Sequence, residues 1–153
     1  MSARITGLQR SNGGVPKLSI LRARVTVAGL EGDWQKDRKH HGGAERALCL
    51  YSQELIDQLV LEGHPMAPGA TGENVTISGL DWRRMQPGTR VALGQVIVHL
   101  TSFAEPCRTI RGAFSDLRFV RIGEKLYPGW SRIYARVEVP GELAVGDEVS
   151  VLD

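Results

Sequence analysis

Only two cysteines, Cys49 and Cys107, occur in 153 residues. Two thiols can close one disulfide at most, and nothing else in the chain suggests a cross-linked secreted scaffold. Long apolar runs are missing as well. The start, Met1-Ser2-Ala3-Arg4-Ile5-Thr6, has no signal-peptide core, and no segment is long enough to span a bilayer. A cytoplasmic protein with reduced thiols is therefore expected. Charge of one sign is scarce: the net formal charge is +2, without a run of basic residues. That balance argues against nucleic-acid and membrane partners, while leaving room for a local basic pocket around a small anion. There is no Cys-x-x-Cys or His-x-x-x-His pair of the kind structural zinc sites use, although Cys107, His41 and Glu73 are residue types that bind zinc. Neither a Gly-x-x-x-x-Gly-Lys nor a Gly-x-Gly-x-x-Gly follows a strand, so the phosphate-loop and dinucleotide fingerprints are absent too. No repeat, low-complexity stretch or linker divides the chain. One domain over residues 1–153 is expected.

What remains is an ordinary globular composition, 42% hydrophobic and 24% charged, in which alternation dominates. Leu21, Ala23, Val25 and Val27 alternate with polar residues as in a half-buried strand. Arg46 to Tyr51 is a second strand candidate. Arg90 to Leu93 and Val96 to Thr101, joined through Gly94-Gln95, read as a hairpin. Ile133, Ala135, Val137 and Val139 alternate in another strand, and Glu148 to Leu152 forms a last one after the turn Val145-Gly146-Asp147. A single stretch has helical spacing: Ser52 caps it, Leu55, Ile56, Leu59 and Val60 share a face, and Gly63-His64-Pro65 ends it. Shorter helical turns are expected after Cys107 and around Ser115 to Arg118. Short strands separated by Gly and Pro turns predict a mostly-β fold, an antiparallel sheet closed into a barrel or sandwich with one main helix and a few short ones.

Three stretches hold residue types with chemistry. The first is Glu105-Pro106-Cys107-Arg108-Thr109-Ile110-Arg111. Pro106 biases Glu105 toward extended backbone, so a strand or loop ends there and a short helix, Arg108 to Phe114, can follow. A thiol at that start faces the positive end of the helix dipole and two arginines, both of which favour thiolate. The plain alternative is a small buried hydrophobe, and that is the reading for Cys49, which lies between Leu48 and Leu50 in a strand. The second stretch runs from Gly29 to Gly43, long for a connection between strands and so a candidate binding loop. Gly42-Gly43 would admit close approach of a ligand or backbone. His41 is placed to donate to an anion, or to serve as a base for Cys107; exposed turn residues are the alternative for His40 and His41. The third is Gly72-Glu73-Asn74, between a glycine turn and an apparent strand at Val75 to Ile77. There Glu73 and Asn74 are either site residues held at a sheet end or turn residues, with Asn74 bonding local backbone.

Taken in order, these pieces resemble the MOSC domain, named for the C-terminal domain of molybdenum cofactor sulfurase. The matching residues are Gly14-Val15-Pro16-Lys17, Gly29-Leu30-Glu31-Gly32-Asp33, His41-Gly42-Gly43, Ala47 through Tyr51, Gly72-Glu73-Asn74, Pro106-Cys107 and Val145-Gly146-Asp147-Glu148-Val149. They cover about Val15 to Val151, as in a stand-alone bacterial member. Met85-Gln86-Pro87-Gly88-Thr89 departs from the pattern, and so does Ala104-Glu105 before Pro106, where an arginine commonly precedes the proline.

The resemblance implies a distorted β-barrel with Cys107 as the working thiol. In related amidoxime-reducing enzymes the matching cysteine coordinates molybdenum held by a pterin dithiolene (the molybdenum cofactor, molybdopterin), and N-hydroxylated substrates are reduced there. On that reading Cys107 is the metal ligand, and His41, Glu73 and Asn74 contact pterin or substrate. Lys17, Asp33, Arg38, Gly42, Gly43, Arg108 and Arg111 are the candidate cofactor contacts, the cations facing its phosphate. An electron-donor protein is implied, because the chain has no recognisable iron–sulfur or flavin site. A second reading, from other members, is a sulfur carrier that takes a persulfide on Cys107 from a cysteine desulfurase. A third is a binding module whose cysteine is structural.

Overall fold

The computed structural model describes residues 2–33 and 43–152. Among the described residues eleven strands are formed in chain order: β1 (Ala3–Arg10), β2 (Leu18–Ile20), β3 (Arg22–Thr26), β4 (Gly29–Leu30), β5 (Leu48–Ser52), β6 (Val75–Ser78), β7 (Arg90–Leu93), β8 (Val96–Phe103), β9 (Ile133–Val139), β10 (Gly141–Ala144) and β11 (Glu148–Leu152). Seven of them close on themselves in the order β1, β11, β7, β8, β9, β5, β6. Closure is made where Ala3 and Arg4 pair with Val149 and Glu148, and β2 lies beside the far end of the same β1 edge. A barrel of this kind leaves few free edges, and its inward side chains fill the interior. The fully buried set includes Ile5, Leu8, Leu48, Leu50, Ile77, Val91, Leu93, Val98, Leu100 and Ala135. Strands β10, β3 and β4 make a separate small sheet.

The expected strands and hairpin are present, with differences that have local causes. The barrel is antiparallel except at one seam, where β5 and β6 run parallel with Leu50 opposite Val75. Every residue of β5 is buried, so its sequence shows a continuous apolar run rather than alternation. Arg46, expected to open that strand, instead ends a 3₁₀ turn over Ala44–Arg46, and β5 runs from Leu48 to Ser52. In the small sheet Ala23 and Val25 are buried, whereas Leu21 and Val27 fall just outside β3 and stand exposed.

Helix α1 (Gln53–Leu61) starts as its sequence predicts, with Ser52 Oγ accepting from Leu55 N at 3.2 Å. It ends at Gly63, whose φ of 96° lets His64 N reach back to Leu59 O at 3.1 Å. Only Ile56 and Leu59 are fully buried, and Val60 faces outward. The 3₁₀ turn Arg108–Ala113 follows Cys107, and a second such turn occupies Phe119–Ile122 rather than Ser115 to Arg118. Among the described residues no helix is long and apolar enough to cross a membrane.

Candidate functional site

The parallel seam positions the site. Because β6 begins beside the middle of β5, the two residues ahead of it, Glu73 and Asn74, lie against Cys49. Asn74 N donates to Cys49 O at 2.7 Å, and Cys49 N donates to Asn74 Oδ1 at 3.0 Å. On the other side of β5, strand β9 pairs Tyr134 with Cys49. Beyond β9, the chain leaving β8 reaches Cys107 after Ala104, whose N–H bonds Arg132 O at 2.9 Å. Two motifs distant in sequence thus meet at one end of the barrel.

A network of buried polar groups fills that end. Asp33 is its hub: Oδ2 accepts from Lys17 Nζ at 2.7 Å and from Asn74 Nδ2 at 2.8 Å, while Oδ1 accepts from Ser11 N at 3.0 Å. Both side chains of the Lys17–Asp33 ion pair are almost wholly shielded, at 6% and 5% exposure. Such a pair persists only where further hydrogen bonds complete it, and Ser11 and Asn74 do so here. Gly69 makes room for Lys17: its φ is +88°, and a Cβ there would collide with the Lys17 carbonyl oxygen. Asn74 is fully used, since Nδ2 also donates to Gln9 O at 3.3 Å. Its bonds reach backbone 25 and 65 residues away, so it is a clamp between strands rather than a local turn residue.

Two members of the network are incompletely paired. Glu73 is 0% exposed; Oε1 accepts from Thr71 Oγ1 at 3.0 Å, and Oε2 has no partner. Arg132, 6% exposed, donates from Nη1 to Thr71 O and from Nη2 to Ala104 O at 3.4 Å, and its Nε is unpartnered. No carboxylate among the described residues forms an ion pair with it. Leaving a buried polar atom unpaired costs about 1–3 kcal/mol, more for a charged group, so these two atoms are the costliest points of the network. Arg132 was not among the candidates read from sequence. A charged residue just before an alternating strand reads as surface, and the face it lies on is covered here by the Cys49–Tyr134–Ala104 cluster.

The two thiols differ. Cys49 is buried, and burial pushes its pKa up to about 11 against the lowering pull of Arg132. Cys107 is partly exposed, in extended backbone ahead of its 3₁₀ turn, with Sγ 2.9 Å from Thr109 Oγ1. Tyr134 links the two: burial raises its phenol to about 12, and negative charge on either Cys49 or Cys107 adds to that. Cys107 lies three residues past Ala104, whose carbonyl accepts from Arg132, and so stands at the rim of the network.

The remaining candidates divide by position. Arg108 and Arg111 are exposed and line an open concavity with Thr109, Gly112 and Leu117. Gly43 is exposed and adopts φ 96° ahead of the Ala44–Arg46 turn. Arg38, His41 and Gly42 lie outside the described residues. Among the described residues no three His, Cys, Asp or Glu side chains gather as a metal-binding group.

Comparison with known proteins agrees with the fold and the family, with the family match beginning after the Gly14–Lys17 and Gly29–Asp33 motifs. A model of the MOSC domain matches residues 37–150. The uncharacterized protein YflK of Bacillus subtilis is 27% identical over 126 residues, which cover 80% of this chain and 55% of that protein. Protein YiiM of Escherichia coli is 31% identical over 87 residues, covering 54% of this chain and 39% of that protein. The chain thus spans about half the length, or less, of these relatives. Among solved structures, the YUAD protein of Bacillus subtilis superposes with a TM-score of 0.74 at 21% identity, covering 99% of this chain and 96% of that one. YiiM of Geobacillus stearothermophilus gives 0.73 at 20% identity, covering 99% of this chain and 75% of that one. At those identities the likeness concerns the fold.

Proposed function

Because the chain belongs to the MOSC domain family, we propose that it is a single MOSC domain that binds the molybdenum cofactor at the Cys107 end of the barrel. In this reading it is a component of an oxidoreductase acting on N-hydroxylated compounds. The observation that carries the proposal is a partly exposed free thiol at the rim of a buried polar network with two unpaired atoms. The donor chemistry fits. A thiolate is a soft ligand suited to a soft metal, and a cofactor that brings its own sulfur ligands needs little else from the protein. When bound, the cofactor would supply the metal and its redox chemistry.

The chain's own residues hold and shield it. Cys107 supplies the ligand sulfur. Glu73 Oε2 accepts from an N–H of the bound group, and Lys17 places a buried positive charge nearby. Asp33 and Asn74 keep Lys17 and the β5–β6 seam in register rather than touching the ligand, since their polar atoms are already bonded. Arg108 and Arg111, with Arg38, remain the cations assigned to the cofactor's phosphate, and His41, Gly42 and Gly43 the backbone and side-chain contacts from the long loop. Electrons come from a separate donor protein. Two free cysteines suit a reducing compartment, and we assign the protein to the cytoplasm.

The test is metal analysis of protein expressed in a host that makes the cofactor. Near-stoichiometric molybdenum is expected; none at all would sink the proposal. The partial exposure of Cys107 also favours a second reading, in which the thiol receives a persulfide sulfur from a cysteine desulfurase and passes it on. Incubation with a desulfurase and cysteine, followed by mass spectrometry, would then show a one-sulfur adduct on Cys107 and none on Cys49.

A further inference from the structure

Arg132 is a buried cation that forms no ion pair with any carboxylate among the described residues. Its guanidinium spans the two motifs that make the site: one nitrogen holds the Thr71 carbonyl ahead of Glu73, another the Ala104 carbonyl ahead of Cys107. Both bonds are to neutral backbone oxygens, so the positive charge is held in place without being neutralised. Glu73 is the nearest network anion by connectivity, and it is reached only through Thr71. A buried charge in that condition is costly to the fold, which is understandable where a ligand completes it. The planar fork of arginine suits the task, because two donors can be fixed on the protein while a third stays free.

We propose that Arg132 is the anion-holding residue of the Cys107 site, its free Nε–H reserved for an oxyanion or carbonyl-type oxygen of the group that the thiol engages. The inference rests on the reading that this end of the barrel binds a ligand. Its ligand class is one bearing a negatively charged or strongly accepting oxygen within reach of Cys107.

Charge-matched alkylation separates this role from simple structural support. Iodoacetate and iodoacetamide both transfer a one-carbon-linked group to a thiolate with loss of iodide, and differ chiefly in the negative charge. With metal-free protein at one fixed pH, the ratio of their rates at Cys107 reads the local field. Arg132→Met should lower the iodoacetate-to-iodoacetamide ratio roughly fivefold. Arg132→Lys should largely restore it, and Glu73→Gln should raise it above the wild-type value. An unchanged ratio in a folded Arg132→Met variant would overturn the proposal. If that variant does not fold, Glu73→Gln decides: a ratio that stays put or falls overturns it equally. Metal content of the same variants, expressed in the cofactor-making host, keeps the two claims apart. A ratio that responds in a protein that never carries molybdenum would leave Arg132 in place and remove the cofactor.

Discussion

Cys49 and Cys107 are the same residue type at the same end of one barrel, and they have opposite surroundings. Cys49 sits in a strand buried on both faces, with its backbone bonded to Asn74 in both directions and its thiol held protonated by burial. Cys107 sits past the end of a strand, partly exposed, with a hydroxyl 2.9 Å from its sulfur. The element, not the residue, decides the role. A sulfur inside a paired strand is packing material, whereas one on the loop that leaves the strand can meet a ligand.

The largest effect that separates them is stability. Cys49→Asp would bury a carboxylate beside Glu73 and should cost ~3 kcal/mol or more. Cys107→Asp should move stability by no more than about 0.5 kcal/mol. Denaturant melts of the two variants measure this, and equal losses would dissolve the contrast. Native-state alkylation comes next. Cys107 should be labelled at least about a hundredfold faster than Cys49, which needs local opening of the barrel, a factor equal to roughly 3 kcal/mol of opening energy.

Alkaline titration sharpens the comparison further. Burial raises the Cys49 pKa from 9.0 to about 11. The folded state therefore keeps a proton that the unfolded chain releases. This contribution is intact below pH 9 and lost as pH rises from 9 toward 11, by roughly 2–3 kcal/mol in all. Burial pushes the Tyr51 phenol up as well, which steepens the fall. Cys49→Ala should flatten the curve between pH 9 and 11. The smallest effect belongs to Thr109→Val, which removes the hydroxyl beside the Cys107 sulfur. Its alkylation rate should change by less than about tenfold.

Much of this was legible in advance where one face of an element is wet and the other dry. The β7–β8 hairpin and β11 announce themselves by turns and alternation, and α1 by its Ser52 cap. Strand β1 was not legible. Gly7 sits in its middle, where the register to β6 shifts between Ile5 and Gly7, and such a bulge interrupts the period of two. The β5–β6 parallel pairing was hidden because a strand buried on both faces loses its alternation. Glu73, Asn74, Lys17 and Asp33 were legible as motif residues, but not which of their polar atoms are bonded. That Asn74 and Asp33 are held by internal bonds while Glu73 keeps an unpaired oxygen depends on contacts across as many as 65 residues of chain. Arg132 carried no signal at all, because nothing local distinguishes a buried arginine from a surface one.

Molybdenum content, measured in parallel on wild-type protein, Cys107→Ser and Cys49→Ser from one cofactor-making host, tests the central claim most directly. The account predicts metal in the wild type, its loss in Cys107→Ser, and its retention in Cys49→Ser wherever that variant folds. Metal that survives in Cys107→Ser, or that is absent from the wild type, would contradict it.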